Sequence, residues 1–125
     1  MKTGLGMVSR HWKGTAKPGQ AEAYLNHLRT DTFPQLAQIP GFVRASILKR
    51  AVEAGTEFQI VTVWESLKAI QAFAGSSTDI AVVPPLVQGL MVRYDTKVAH
   101  YEIADTFEPS DTAARWSAVG KEPGA

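Results

Sequence analysis

A chain of 125 residues without cysteine, carrying thirteen Lys plus Arg against twelve Asp plus Glu, is the size of one domain and can bury roughly two thirds of the surface of its unfolded form. The missing cysteines exclude disulfides, thiolate metal sites, iron–sulfur clusters and thiol nucleophiles, and the near-neutral balance leaves no electrostatic footprint for nucleic acid or for a membrane surface. The first residues lack the apolar run of a signal peptide and no stretch of about 18 apolar residues occurs, so the expectation is a soluble, unprocessed cytoplasmic protein with no membrane and no nucleic-acid partner.

From Met7 to Trp12, alternation puts Val8, Arg10 and Trp12 on one side of an extended chain and Met7, Ser9 and His11 on the other, which predicts a first strand ended by Gly14. After Pro18 and Gly19, the residues Ala21, Tyr24, Leu25, Leu28 and Thr32 recur at threes and fours while Glu22, Asn26 and Arg29 point away, so a helix is expected over about residues 18–32. Pro34 should kink or end it, since its ring removes an amide donor and disfavours a helical Phe33; Leu36 and Ile39 can add one more turn before Pro40 and Gly41. Residues 42–50 and 58–64 read as hairpin partners joined by a polar connection, 51–56, that contains Gly55.

Ser66 is the expected cap of a second helix, with Leu67, Ile70, Phe73 and Ala74 as its buried stripe and Gly75 as its stop. Residues 76–94 are expected to be a packed connection or lid, in which Ser77 caps a turn, Pro84 and Pro85 break it, and 86–92 is apolar enough to be covered. Residues 98–103 alternate again, setting Val98, His100 and Glu102 opposite Ala99, Tyr101 and Ile103 in a last strand. The domain is thus expected over 1–105. The remainder, 106–125, reads as an extension in which Ser110 or Asp111 caps a short helix and Trp116 is an anchor, for example on a partner subunit.

The order strand, helix, strand, strand, helix, strand is that of an α+β, ferredoxin-like βαββαβ domain, a four-stranded antiparallel sheet with both helices on one face. The strand over 58–64 is apolar on both faces, yet the two helices cover only one. Face-to-face homodimerisation is the expected cover for the apolar area left bare.

Several pieces of the chain resemble the antibiotic biosynthesis monooxygenase family of the dimeric α/β-barrel superfamily. They are Arg10-His11-Trp12-Lys13-Gly14 in the first strand, Tyr24, Ile39-Pro40-Gly41, Val63-Trp64-Glu65-Ser66, Ala72-Phe73-Ala74-Gly75 and Val98-Ala99-His100-Tyr101-Glu102. The resemblance spans about residues 7–105. It implies a dimer of ferredoxin-like domains and, among the family's activities, cofactor-independent oxygenation of aromatic polyketides. The haem-degrading relatives carry an Asn in the first strand and a Trp and a ligating His on the second helix; this chain departs from all three, having no Asn in its first strand and neither Trp nor His between Ser66 and Met91.

An oxygenase of this kind needs a dry pocket for a flat phenol, a base and a group that stabilises anionic oxygen. His100 is the first candidate for acid/base work and His11 the second, each with a purely structural alternative: a strand histidine bonded to Glu102 or to backbone, or one at the dimer face. Tyr24 is the third catalytic candidate, because its hydroxyl needs a partner if buried. Trp12, Trp64 and Phe73 can wall a pocket for a planar substrate or simply form core, and Arg10 is either an oxyanion partner or half of an ion pair across the dimer. His27 reads as solvated. Histidines at 11, 27 and 100 lack helical ligand spacing, and Gly4-Leu5-Gly6 lacks the context of a dinucleotide loop, so neither metal nor cofactor is expected. The sequence therefore points to a cofactor-independent monooxygenase acting on a small aromatic or polyketide-like substrate. Its alternatives are a cofactor-free isomerase or cyclase and a non-catalytic ligand-binding protein of the same fold.

Overall fold

Strand β1 (Val8–Ala16) is an inner strand of the sheet, and most of the other elements are placed by it. A computed structural model describes residues 6–109, so the expected cap at Ser110 or Asp111 and the Trp116 anchor lie outside the described residues. Along its whole length β1 pairs antiparallel with β3 (Gly55–Trp64), from Val8 opposite Trp64 to Ala16 opposite Thr56. On its far side β3 pairs with β2 (Phe42–Val52). The other edge of β1 takes two short strands, β4 (Met91–Tyr94) opposite Gly14 to Ala16 and β5 (Ala99–Glu102) opposite Val8 to His11. The order β2-β3-β1-β4, with β5 continuing the line of β4, is that of the ferredoxin-like α+β fold.

The fourth strand is therefore split. Between Tyr94 and Ala99 the chain takes five steps opposite three on β1, and the excess bulges outward. The bulge is tied down where Ile80 bridges Lys97, through Ala81 N–H to the Thr96 carbonyl (2.9 Å) and Val98 N–H to the Asp79 carbonyl (2.9 Å). The expected last strand is shortened to Ala99–Glu102.

Gly14 does not end β1. The Trp12 indole lies over it, where a Cβ would collide with the ring, so glycine is what lets the strand pass beneath the tryptophan. The hairpin is also tighter than expected: Val52 pairs with Gly55, leaving Glu53 and Ala54 as the turn. At Gly55 φ is +147°, and a Cβ would strike the Ala16 carbonyl.

Nor does Pro34 end the first helical segment. Helix α1 (Ala21–His27) passes into a π-helical turn (Leu28–Thr32), and α2 (Phe33–Leu36) comes next. Within the widened turn the Phe33 amide reaches the Leu28 carbonyl five residues back, which sets Pro34 at the start of a new helical register, where its missing N–H does least harm. The same chemistry corrects the reading of 76–94, for Pro85 opens α4 (Pro85–Leu90) instead of breaking a helix. Helix α3 (Leu67–Ala74) behaves as expected: the Ser66 hydroxyl accepts from Ala69 N–H at 3.1 Å, and Gly75 ends the helix at φ +84°.

The described helices lie on one face of the sheet, over two apolar clusters. One gathers Tyr24, Leu25, Leu28, Phe58 and Met91; the other joins Leu36, Trp64 and Ile70, with Phe73 and Phe42 packed against them. Among the described residues the opposite face is bare, and it is more polar than expected. His11 accepts from the Gln59 amide at Nδ1 (3.2 Å), so Nε2 carries the hydrogen and donates to the Ser9 hydroxyl (2.9 Å). Around this trio stand Tyr101, edge-on to His11 at 4.8 Å, and the charged set Lys13, Arg50 and Glu57. Leu48 and Tyr101 remain more than half exposed there.

Candidate functional site

Between sheet and helices lies a cavity whose floor is Arg10 and Trp12 of β1 with Ile60 and Thr62 of β3. Tyr24 and His27 of α1 with Leu28 of the π-helical turn form one wall, Phe73 of α3 closes one side, and Val82 and Pro84 come from the connection after α3. The cavity measures about 80 Å³, and the space between the surrounding atoms, mouth included, about 580 Å³. An apolar cavity of about 150 Å³ holds a benzene, so a single ring here would sit partly in the mouth.

Alternation along β1 turns Arg10 toward the helices, and it ends only 4% exposed. Its Nη1 donates to the Thr78 carbonyl (2.5 Å) and to His100 Nε2 (3.1 Å), and Nη2 donates to the Ile80 carbonyl (3.0 Å). The guanidinium also sits over the Phe73 ring, 5.6 Å from its centroid. Among the described residues no carboxylate is within ion-pair distance of it; the exposed Asp79 acts on it only from further away. Burial lowers its pKa to about 10, partly offset by Asp79, and the side chain keeps its charge at neutral pH.

His100 is half-buried on β5 opposite Arg10 and does not line the cavity. Because a guanidinium can only donate, Nε2 of His100 is the acceptor and its hydrogen is on Nδ1. Burial first, and then the Arg10 charge, hold its pKa below the ordinary imidazole value, with Asp79 acting the other way. His11 lies on the bare face with both ring nitrogens engaged, and burial likewise lowers its pKa.

Tyr24 is buried in the cavity wall, edge-on to Phe58 at 4.9 Å and tilted against Trp12 at 6.1 Å; burial pushes its phenol up, so it stays neutral. Trp12 bonds the Asp95 carbonyl through its indole N–H (2.9 Å), which couples the cavity floor to the bulge. Trp64 is fully buried under the cavity, stacked on Phe73 at 6.1 Å, and does not line it. The structure thus gathers Arg10, Trp12, Tyr24 and Phe73 at one cavity, sets His100 behind Arg10, and leaves His11 and Trp64 outside.

His27, read from the sequence as solvated, is instead a wall residue. Its side chain is 10% exposed and its buried Nε2 has no hydrogen-bond partner among the described residues; the Asp31 carboxylate is 3.9 Å away. The signal was present, since 24, 27 and 28 share a helix face. No three His, Cys, Asp or Glu side chains converge as a metal site among the described residues, and no described helix is long and apolar enough to cross a membrane.

The fold and the cavity define a ferredoxin-like α+β domain with an aromatic-walled chamber between helices and sheet. Residues 7–79 match the model of the antibiotic biosynthesis monooxygenase family, and the chain belongs to that family. No protein with a curated description matches it in sequence. Among solved structures it is similar to SnoaB, a cofactor-independent oxygenase from Streptomyces nogalater, at 21% identity over 82% of this chain and 98% of that one, with a TM-score of 0.57. It is similar to a monooxygenase from the gene ActVA-Orf6 of Streptomyces coelicolor, in complex with nanaomycin D, at 19% identity over 86% and 95% of the two chains and a TM-score of 0.57. A protein of unknown function from Nitrosomonas europaea is also similar, at 16% identity over 86% and 99%, with a TM-score of 0.64. At these identities the likeness establishes the fold.

Proposed function

We propose that this protein oxidises a small aromatic substrate with dioxygen inside the cavity, without metal or flavin. The observation that carries the reading is a chamber walled by Trp12, Tyr24 and Phe73 with a buried cation, Arg10, in its floor that has no carboxylate within ion-pair distance among the described residues. Family membership and the oxygenase activity of SnoaB support it. The chemistry suits a phenol conjugated to an activated ring methylene. Loss of a proton gives an electron-rich anion; it passes one electron to dioxygen, the radical pair joins at carbon, and the hydroperoxide loses water. The balance is CH2 plus O2 to C=O plus H2O, the substrate supplying all the electrons. Aromatic faces hold the ring flat, and the guanidinium stabilises negative oxygen at the buried floor of the cavity.

Oxygen uptake measured with a methylene-bearing phenol should match ketone formed, mole for mole. Turnover that persists without dioxygen, or that disappears on treatment with a chelator, would reject the mechanism; a product of unchanged mass would point to an isomerase or cyclase. A second reading, a ring-binding protein without a reaction, is favoured by the engaged ring nitrogens of His11 and of His100 at Nε2. We also propose that two copies pair through the bare sheet face, where Leu48 and Tyr101 are 52% and 57% exposed. Light scattering at high micromolar concentration tests this, and a monomer there would reject it.

A further inference from the structure

Arg10 is buried as deeply as the apolar core, yet its bonds go to two carbonyls and one imidazole, none of which carries a negative charge. A buried cation without a counter-charge is costly. Of its five N–H donors three are used, leaving one on Nε and one on Nη2. Among the described residues Nε makes no hydrogen bond, and it is not among the side-chain atoms sealed from solvent without a partner. Arg10 lines the floor of the cavity. The used bonds fix the guanidinium from behind: Thr78 and Ile80 hold it from the connection after α3, and His100 holds it from β5.

We propose that this cavity binds its ring-bearing ligand as an anion, an ionised phenol, enol or aromatic carboxylate whose oxygen takes the two unused N–H donors of Arg10. This rests on reading the cavity as the substrate site, and not on the reaction carried out there. Activation is then electrostatic. The O–H bond of the phenol breaks, its electron pair stays on oxygen beside the guanidinium, and the proton leaves to water at the mouth. No histidine is needed as the base, in keeping with His100 spending its Nε2 lone pair on Arg10 and His11 lying on the other face of the sheet. His100, Thr78 and Ile80 are positioning groups that act through Arg10.

The probe is 4-nitrophenol, a single ring whose anion is yellow and whose neutral form is colourless, with nitrobenzene as the uncharged control. An opposite charge within reach lowers an acid's pKa by about 1 to 3 units. Protein in excess should therefore turn 4-nitrophenol yellow at a pH about 1 to 3 units below that for the free dye, with or without dioxygen. Arg10→Met should abolish the shift, Arg10→Lys should restore part of it, and in the unaltered protein nitrobenzene should bind with an affinity that does not change with pH. In the unaltered protein, independently of any variant, 4-nitrobenzoate should bind at least about tenfold more tightly than its methyl ester. A colourless bound dye, a shift that survives Arg10→Met, or a preference for the ester would overturn the proposal while leaving the oxidation reading standing. If none of the nitroaromatic probes binds, both fall.

Discussion

Removing the Trp64 ring tests the separation between core and chamber. The indole is fully buried, meets Phe42 edge-on at 5.3 Å, stacks on Phe73 with planes 20° apart, and donates to the Thr62 hydroxyl at 2.8 Å. Replacing a buried Trp by Ala costs about 3 to 5 kcal/mol, the cavity left behind included. With an unfolding entropy near 2.1 cal/mol/K per residue, 125 residues lose about 4 °C of Tm per kcal/mol, so Trp64→Ala should melt roughly 12–19 °C lower. Thermal unfolding followed by far-UV circular dichroism, at fixed protein concentration, measures this directly. Because Phe73 touches both Trp64 and Arg10, affinity for 4-nitrophenol should fall as well, as an indirect effect. A drop of under about 4 °C together with a large loss of ligand binding would refute the reasoning, since it would make the indole a pocket wall.

Two glycines should respond in opposite directions to alanine. Gly55→Ala meets both a positive φ and the Ala16 carbonyl, and should lose about 1 to 3 kcal/mol; Gly89→Ala, in α4 with open space around it, should gain up to about 1 kcal/mol, and urea melts of both variants decide it. The third expectation concerns pH. Burial holds His100 and His11 below the ordinary value of 6.5, so the unfolded chain takes up protons at a higher pH than the folded one does. Their stabilising effect is complete above about pH 6.5 and is lost as pH falls below it. The urea midpoint should be lower at about pH 5.5 than at about pH 7.5, and a midpoint that is level or rises on acidification contradicts the assignment.

The parts legible in the sequence are those written in side-chain pattern. Alternation over β1 placed Arg10 and Trp12 together, the β2–β3 hairpin was readable from its apolar runs, and Ser66 with Gly75 bounded α3. Strand β4 was not legible, because Met91–Tyr94 is four residues long, begins directly after α4, and shows no clean alternation. The two prolines misled for one reason: a proline disrupts a helix already under way but is harmless in the first turn. Only the π-helical turn, which no local pattern announced, put Pro34 in that position. Arg10's surroundings were hidden differently. Its main partners are the carbonyls of Thr78 and Ile80, and a backbone carbonyl carries no trace of residue type. His27 was misjudged because the polarity of the side chain was weighed above its helix face.

The widened turn at Leu28–Thr32 makes the chamber sensitive to chain length at one place. Each residue of a regular helix advances about 100° around the axis, and the wide turn holds back part of that advance so that Thr32, Phe33 and Leu36 all reach the cavity. Excising one residue there, Arg29 for example, would let the coil close up into ordinary α-geometry, with the Phe33 amide four residues instead of five from the Leu28 carbonyl, so that Phe33 and Leu36 keep their facing while the wall around them narrows. Protein engineers reshaping the chamber would then have a deletion, beyond any substitution, as their coarsest dial.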